Sequence, residues 1–232
     1  MHKQRAAREL LRSQRSHVLF VLSASTPDGQ QRFLRWYQDR YRLRIANVPG
    51  ILSVQHYVQH DVDITQGQFE RLPLPYLGVY ELCLDGAPEA QDLITEISRL
   101  HREEESARLP ATWLYYPVSE PVGRPPISRP SLLTLAFANA LSGRQDEFRE
   151  WYATRHIRHA LHIDALVSGQ CFERTQFQDP GALEARFQTI AVYEQEGSPE
   201  SIIESMRFLP EELFPFPMID LSRFAESVYR PL

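Results

Sequence analysis

The sequence predicts an α+β fold built from two copies of one β-α-β-β-α-β unit in a single chain. The motif Phe-x-x-Trp-Tyr occurs twice, and 115 residues separate its first residue, Phe33, from the matching Phe148. Further matches follow in the same order along both copies: Ser53 with Ser168, Gln55 with Gln170, Tyr57 with Phe172, Val79-Tyr80-Glu81 with Val192-Tyr193-Glu194, and Pro88-Glu89 with Pro199-Glu200. An ordered series of matches at one nearly constant spacing indicates an internal duplication.

The predicted boundaries divide the chain into four parts. Residues 1–16 form a basic N-terminal extension, residues 17–118 the first copy, residues 119–130 a linker and residues 131–232 the second copy. The linker is rich in proline, which makes it stiff and extended.

Each copy contains four predicted strands and two predicted helices. The strands lie near residues 17–24, 52–59, 76–84 and 112–118 in the first copy, and near 131–140, 166–174, 187–195 and 224–229 in the second. Pro88 and Pro199 suit the first turn of the second helix in each copy. This is the ferredoxin-like order of elements. Because the strands are apolar on both faces, we expect the two antiparallel sheets to pack as a barrel within one chain.

The net charge and the length of the apolar runs argue against two classes of partner, nucleic acids and membranes. The formal net charge is -5 and the isoelectric point is about 5.9, so the surface repels phosphate backbones and we expect no nucleic acid. No apolar run approaches the ~20 residues that span a bilayer, so we expect no membrane partner.

Cys83 and Cys171 each lie in an apolar, strand-like run. We expect both to be buried free thiols, as in a cytoplasmic protein.

The first helix of the second copy carries a motif that points to a family. The segment reads Asp-Glu-Phe-Arg-Glu-Trp-Tyr-Ala-Thr-Arg-His, from Asp146 to His156, and an apolar turn follows it. It resembles the EthD-like branch of the dimeric α+β barrel superfamily, and the resemblance covers nearly the whole chain, twice. The first copy departs from this pattern, because Tyr41 stands where the family places the histidine. The superfamily hosts many chemistries, so the resemblance implies a fold more than a reaction.

Several aromatic residues and one histidine, on the first helices and the third strands, are candidate site residues. Phe148, Tyr152 and His156 follow one another at intervals of four, which places them on one helix face. The predicted catalytic residues are His156, Tyr152 and Tyr193, because an imidazole and two phenols at an apolar cleft can move a proton and polarise a carbonyl. The predicted substrate-binding residues are Trp151, Phe148, Tyr41, Tyr37 and Tyr80. The alternative is that all of these are core residues, with the histidine hydrogen-bonded inside the fold.

Two other groups of polar residues could carry chemistry but also have structural interpretations. His156, His159 and His162 lie close together, but Arg155 and Arg158 beside them disfavour a cation, so we expect no metal and no cofactor. Glu81 and Glu194 follow equivalent tyrosines on the third strands and point to the opposite face. A rim ion pair is one interpretation of these carboxylates, and a buried base is the other.

Two functions from different classes fit these residues. The first is a cofactor-independent enzyme that acts on a small apolar or aromatic carbonyl compound by proton transfer, in a cyclisation, dehydration, isomerisation or decarboxylation. The second is a non-catalytic binding protein with the same cleft. A cofactor-free quinone-forming monooxygenase is a further alternative that the resemblance allows, as it allows a homodimer of the tandem chain.

Overall fold

The structure is a computed structural model that describes residues 15–108, 110–127, 130–178, 186–208 and 218–232, without the side chain of Ala87. Most of the predicted N-terminal extension and part of the predicted linker lie outside the described residues. Residues 17–118 are called the first half below, and residues 131–232 the second half.

Strands and helices follow one another in the same order, β-α-β-β-α-β, in both halves. The strands are β1 (His17–Ser23), β2 (Ile51–Gln59), β3 (Tyr76–Leu82), β4 (Ala111–Pro117), β5 (Val122–Gly123), β6 (Leu132–Ala138), β7 (Leu166–Arg174), β8 (Thr189–Gln195) and β9 (Ala225–Pro231). The helices are α1 (residues 30–45), α2 (Ala87–Arg102), α3 (residues 145–160) and α4 (Pro199–Met206). A short 3-10 turn, Leu221–Arg223, precedes β9. No helix among the described residues is long and apolar enough to cross a membrane.

Eight antiparallel strands close into one barrel. Neighbouring strands follow the order β4-β1-β3-β2-β9-β6-β8-β7, and a pairing of β4 with β7 completes the ring. The two-residue strand β5 also pairs antiparallel with β7. The predicted antiparallel barrel within one chain is therefore confirmed. The two four-stranded sheets join edge to edge, at a β2–β9 seam and a β4–β7 seam of three residue pairs each.

The strand register is the same in the two halves. Tyr80 lies opposite Leu19 and Val54, and Tyr193 lies opposite Thr134 and Gly169. The pairing of β2 with β3 and that of β7 with β8 both shift register just before a serine, Ser53 in one half and Ser168 in the other. The helices lie outside the barrel. One apolar cluster fills the barrel interior, and two more lie between the helices and the strands.

The long helix at the start of each half contains one π-helical turn. In α1 the turn Tyr37–Tyr41 separates Gln30–Trp36 from Arg42–Ile45. In α3 the turn Tyr152–His156 separates Gln145–Trp151 from Ile157–Ala160. Such wide turns occur frequently at functional sites.

The two cysteines differ in exposure. Cys171 is buried on β7, as the sequence predicts, but Cys83 is exposed. The prediction of a buried Cys83 is wrong because β3 ends at Leu82, so the next residue is no longer covered by neighbouring strands. Both thiols are free.

Candidate functional site

Five of the predicted site residues meet in one layer, between α3 and the barrel of the second half. Phe148, Trp151, Tyr152 and Tyr193 are buried in the same apolar cluster, and the fifth residue, His156, is buried against the Trp151 and Tyr152 rings. The space that they fill is called the second-half layer below. The Tyr152 ring stacks on Phe148 at 4.9 Å and on His156 at 4.8 Å between ring centroids. The π-helical turn therefore delivers a continuous aromatic stack to the sheet.

His156 lies deep in this layer. Its side chain is 8% exposed and lies 4.9 Å from the Trp151 ring, between centroids. Burial lowers the pKa of His156 to about 4, with a contribution from the nearby charge of His159. The imidazole is therefore neutral at neutral pH and can accept or pass on a proton.

The two tyrosines of the layer differ in their hydrogen bonds. Tyr152 donates to the carbonyl oxygen of Ala136 at 3.2 Å. Within the described part of the chain, the buried hydroxyl of Tyr193 has no hydrogen-bond partner. Gly169 lies opposite Tyr193, and a Cβ atom there would stand 2.8 Å from Cδ1 of the ring. The glycine thus lets the phenol lie flat on the strand.

Glu226 is a carboxylate of the same layer that the sequence analysis missed. It lies on β9 opposite Ala136. Val228, two residues further along the strand and therefore on the same face, belongs to the apolar cluster of the layer. Burial raises the pKa of the Glu226 carboxyl to about 7, and the charge of Asp63 adds to the shift. The Glu226 charge in turn contributes to raising the pKa values of Tyr152 and Tyr193, after their own burial. The signal in the sequence was the alternation along β9, where Ala225 and Tyr229 point into the barrel.

The remaining predicted residues lie in the first half and do not meet His156. Tyr37, Tyr41 and Tyr80 are buried between α1 and the barrel. The hydroxyl of Tyr80 donates to that of Tyr41 at 3.0 Å, and Nε2 of His56 lies 3.4 Å from the Tyr80 oxygen. Burial lowers the pKa of His56 to about 3, with smaller effects of nearby charges. The predicted set of site residues is thus divided between two separate layers.

The equivalent positions of the two layers carry different chemistry. The strand register matches Thr112 on β4 to Glu226 on β9, since they lie opposite Val21 and Ala136 respectively. At the helix position, Tyr41 in the first half matches His156 in the second. The second half therefore combines a carboxylate and an imidazole where the first half has a hydroxyl and a phenol.

A small cavity of about 70 Å³, lined by both polar and apolar side chains, lies inside the barrel. Glu81 and Glu194 both line it, and each accepts a hydrogen bond from a serine, Ser53 at 2.7 Å and Ser168 at 2.6 Å. Glu81 also forms an ion pair with Arg15 at 2.8 Å, as expected for a rim carboxylate. None of the predicted site residues lines this cavity. The repeated polar residues of the sequence thus lie inside the barrel, away from the second-half layer.

Metal ligation has no support in the described residues. No three His, Cys, Asp or Glu side chains among them group so that they could hold a metal ion. His162 Nδ1 lies 3.1 Å from the His159 carbonyl oxygen, at the exposed end of α3.

Comparison with solved structures finds the same architecture in proteins of several kinds. An anthrone oxidase-like protein superposes with a TM-score of 0.61 at 10% identity, over 96% of this chain and 93% of that chain. A mutant chlorite dismutase from Candidatus Nitrospira defluvii gives 0.58 at 12% identity, over 97% and 95%. A protein described as a putative monooxygenase, from Fusobacterium nucleatum, gives 0.55 at 8% identity, over 94% and 93%. The chain has the dimeric α+β barrel fold.

The likeness to these dimeric α+β barrels is one of fold alone, because so few residues are identical. No protein-family model matches the sequence, and no curated protein matches it. The shared fold therefore does not assign a function to the side chains of this chain.

Proposed function

We propose that the chain is a cofactor-independent enzyme that moves a proton on a small apolar or aromatic carbonyl compound, in the second-half layer. One observation carries the proposal. A half-buried carboxyl, Glu226, has a pKa of about 7 and lies in the same layer as His156 and Tyr193. A base whose pKa is near the working pH is effective in general acid–base catalysis.

The proposed reaction begins with removal of a proton from the carbon next to the substrate carbonyl. The Glu226 carboxylate takes this proton and becomes a neutral acid. The Tyr193 hydroxyl, which is buried and has no partner among the described residues, donates a hydrogen bond to the oxygen where negative charge develops. Neutral His156, on the helix side of the layer, is the second proton carrier. The substrate then determines whether cyclisation, dehydration, isomerisation or decarboxylation follows.

The first half serves as an internal comparison for this proposal. We infer that the chain consists of two ferredoxin-like copies of one unit, of the EthD-like type, and that only the second copy retains the chemistry. The identical strand register and the π-helical turns 115 residues apart support the duplication. Tyr41 and Thr112 at the positions of His156 and Glu226 support the loss of chemistry in the first copy.

A quinone-forming monooxygenase is the second candidate, favoured by the likeness in fold to an anthrone oxidase-like protein. Its first step is the same proton abstraction. The carbanion then reduces O₂, so that one oxygen atom enters the ring as a carbonyl and the other leaves as water. The aromatic rings of Phe148, Trp151 and Tyr152 suit a flat polycyclic substrate.

Hydrogen–deuterium exchange at carbon tests the shared first step. Anthrone and 2-tetralone are incubated with the protein in D₂O, and loss of the acidic C–H signal is followed by NMR. We expect the wild-type protein to accelerate exchange, and Glu226→Gln and His156→Ala each to reduce the rate by ~10²-fold or more. Tyr41→Phe, the matched change in the first half, leaves the rate nearly unchanged. An oxygen electrode separates the two candidates, because only the monooxygenase consumes O₂.

Two results would contradict the proposal. In the first, the ketones bind saturably but their hydrogen–deuterium exchange is no faster than in buffer. This result would favour the non-catalytic binding protein. The other is an equal loss in Tyr41→Phe and Glu226→Gln, which would mean that the effect is on folding and not on a site.

A further inference from the structure

A second cleft, of about 450 Å³, opens in the first half at the start of α1. Its walls come from the residue pair after β1, the start of α1, the end of β2, the start of β3 and the segment after α2. It is separate from the second-half layer, since no residue lines both. Its lining is rich in hydrogen-bond donors, and two of them are arginines, Arg71 and Arg108.

Arg71 is held in position by the backbone. Its guanidinium donates to the carbonyl oxygens of His60 and, at 3.4 Å, of Asp61. Its Nε atom is buried and has no partner in the described part of the chain. No carboxylate forms an ion pair with Arg71 among the described residues, although Asp63 lies near enough for the Arg71 charge to contribute to lowering the pKa of its carboxyl.

Arg108 supplies a second positive charge from another element. Its side chain is exposed, and its backbone N–H is fixed to the carbonyl oxygen of Ala24 at 2.9 Å. In the described residues, no acidic side chain pairs with it. Guanidinium groups bind planar carboxylates and phosphates through paired N–H donors, so two of them facing one cleft favour an anion.

Neutral donors add to the arginines. Nδ1 of His60 accepts from the backbone N–H of Val62 at 3.1 Å, so the neutral ring carries its hydrogen on Nε2. Tyr76 also lines the cleft, and its hydroxyl accepts a hydrogen bond from Nε2 of Gln30 at 3.4 Å. Val58 and Pro75 provide an apolar wall. Asp61 is the one carboxylate in the lining, and it opposes an anion.

We propose that this cleft binds a small organic anion, whose carboxylate or phosphate group is held by Arg71 and Arg108. Its apolar part lies against Val58 and Pro75. The site is independent of the proposed chemistry of the second half.

Titration with benzoate and with inorganic phosphate, followed by calorimetry on the full chain, tests the site. We expect saturable binding of at least one probe, and the probe that binds identifies the charged group. Arg108→Gln weakens binding by ~10-fold or more, because a charge-assisted hydrogen bond is lost. Arg71→Gln acts in the same direction, and Asp61→Asn strengthens binding.

Arg102→Gln is the matched control, since Arg102 is an exposed arginine of α2 outside the cleft. Because Arg71 also holds the loop after β2, Arg108→Gln is the variant that tests binding without touching the fold. Saturable binding that falls with Arg108→Gln and not with Arg102→Gln supports the site. The absence of saturable binding for both probes, or an equal loss with Arg102→Gln, overturns it.

Discussion

Glu226 is the residue on which the proposed chemistry depends, and in the sequence only the alternation along β9 indicates that it faces away from the barrel interior. It stands in an ordinary strand between Ala225 and Ser227, whose side chains point into the barrel. Only the closed barrel brings this carboxylate under α3, beside residues that lie far away in the sequence. The position of His156 on the buried face of its helix, in contrast, was predictable from its helical spacing.

His156 makes the stability of the fold depend on pH. Its ordinary pKa of 6.5 is lowered to about 4 by burial, so below pH 6.5 the unfolded chain binds a proton that the folded chain does not. The contribution is therefore fully present above pH 6.5 and is lost as the pH falls towards 4. Urea unfolding at pH 7 and at pH 4.5 should show that His156→Gln removes roughly 1–3 kcal/mol of this pH dependence. An identical pH dependence in both proteins would mean that His156 titrates normally.

The two cysteines should differ in reactivity. Cys83 is exposed, whereas burial raises the pKa of the Cys171 thiol, and the thiolate is the reactive form. A chromogenic disulfide reagent should label one thiol per native chain and both after unfolding. Cys83→Ser should leave the native protein unlabelled. Rapid labelling of Cys171 in native Cys83→Ser would show that β7 is open to solvent.

At the scale of elements, periodicity predicted most of the fold. The strand β7 has the predicted bounds, and β1 and β2 differ from the predicted bounds by a single residue. The π-helical turns were not predictable, because one extra residue in a helical turn leaves the side-chain spacing of four nearly intact over so short a segment. The turn nevertheless decides that Tyr152 and His156 stack at 4.8 Å.

Gly169 on β7 is the element-scale feature that keeps Tyr193 in place. A Cβ atom at this position would stand 2.8 Å from the Tyr193 ring and 2.9 Å from Cδ1 of Ile157. Gly169→Ala should therefore destabilise the protein by about 1–3 kcal/mol, measured by urea unfolding, because the core is overpacked. Gly86→Ala is the control, since the nearest atom to its Cβ lies 3.7 Å away, and it should change stability by less than about 0.5 kcal/mol. Equal effects of the two changes would refute the packing account.

At the scale of the whole molecule, the barrel interior is shared. The interior cluster takes residues from both halves, such as Phe20 and Tyr115 from the first and Leu135 and Phe172 from the second. The seams are short, with three residue pairs each, so burial of this common interior holds the halves together. The sequence predicted the barrel from strands apolar on both faces. It could not predict which edges join, because seam pairing depends on contacts between residues far apart in the chain.

Arg15 links the two halves at the barrel interior. It forms an ion pair with Glu81 of the first half and a hydrogen bond with Gln170 of the second, and its side chain is 7% exposed. Arg15→Gln should lower the free energy of unfolding by up to about 3 kcal/mol, because Glu81 is left as a buried charge. Adding Glu81→Gln should recover more than half of that loss in urea unfolding. Additive losses in the double variant would show that the ion pair is not what stabilises this contact.

The titration of Glu226 is a direct test of the proposed proton transfer, because it needs no knowledge of the substrate. The carboxyl carbons of glutamate are followed by carbon-13 NMR from acid to alkaline pH, and Glu226→Gln identifies the signal by its disappearance. We expect a midpoint of about 7 for this carboxyl. A midpoint near the ordinary value of 4.5 would contradict it, since the carboxylate would then be solvated and too weak a base for the proposed proton transfer.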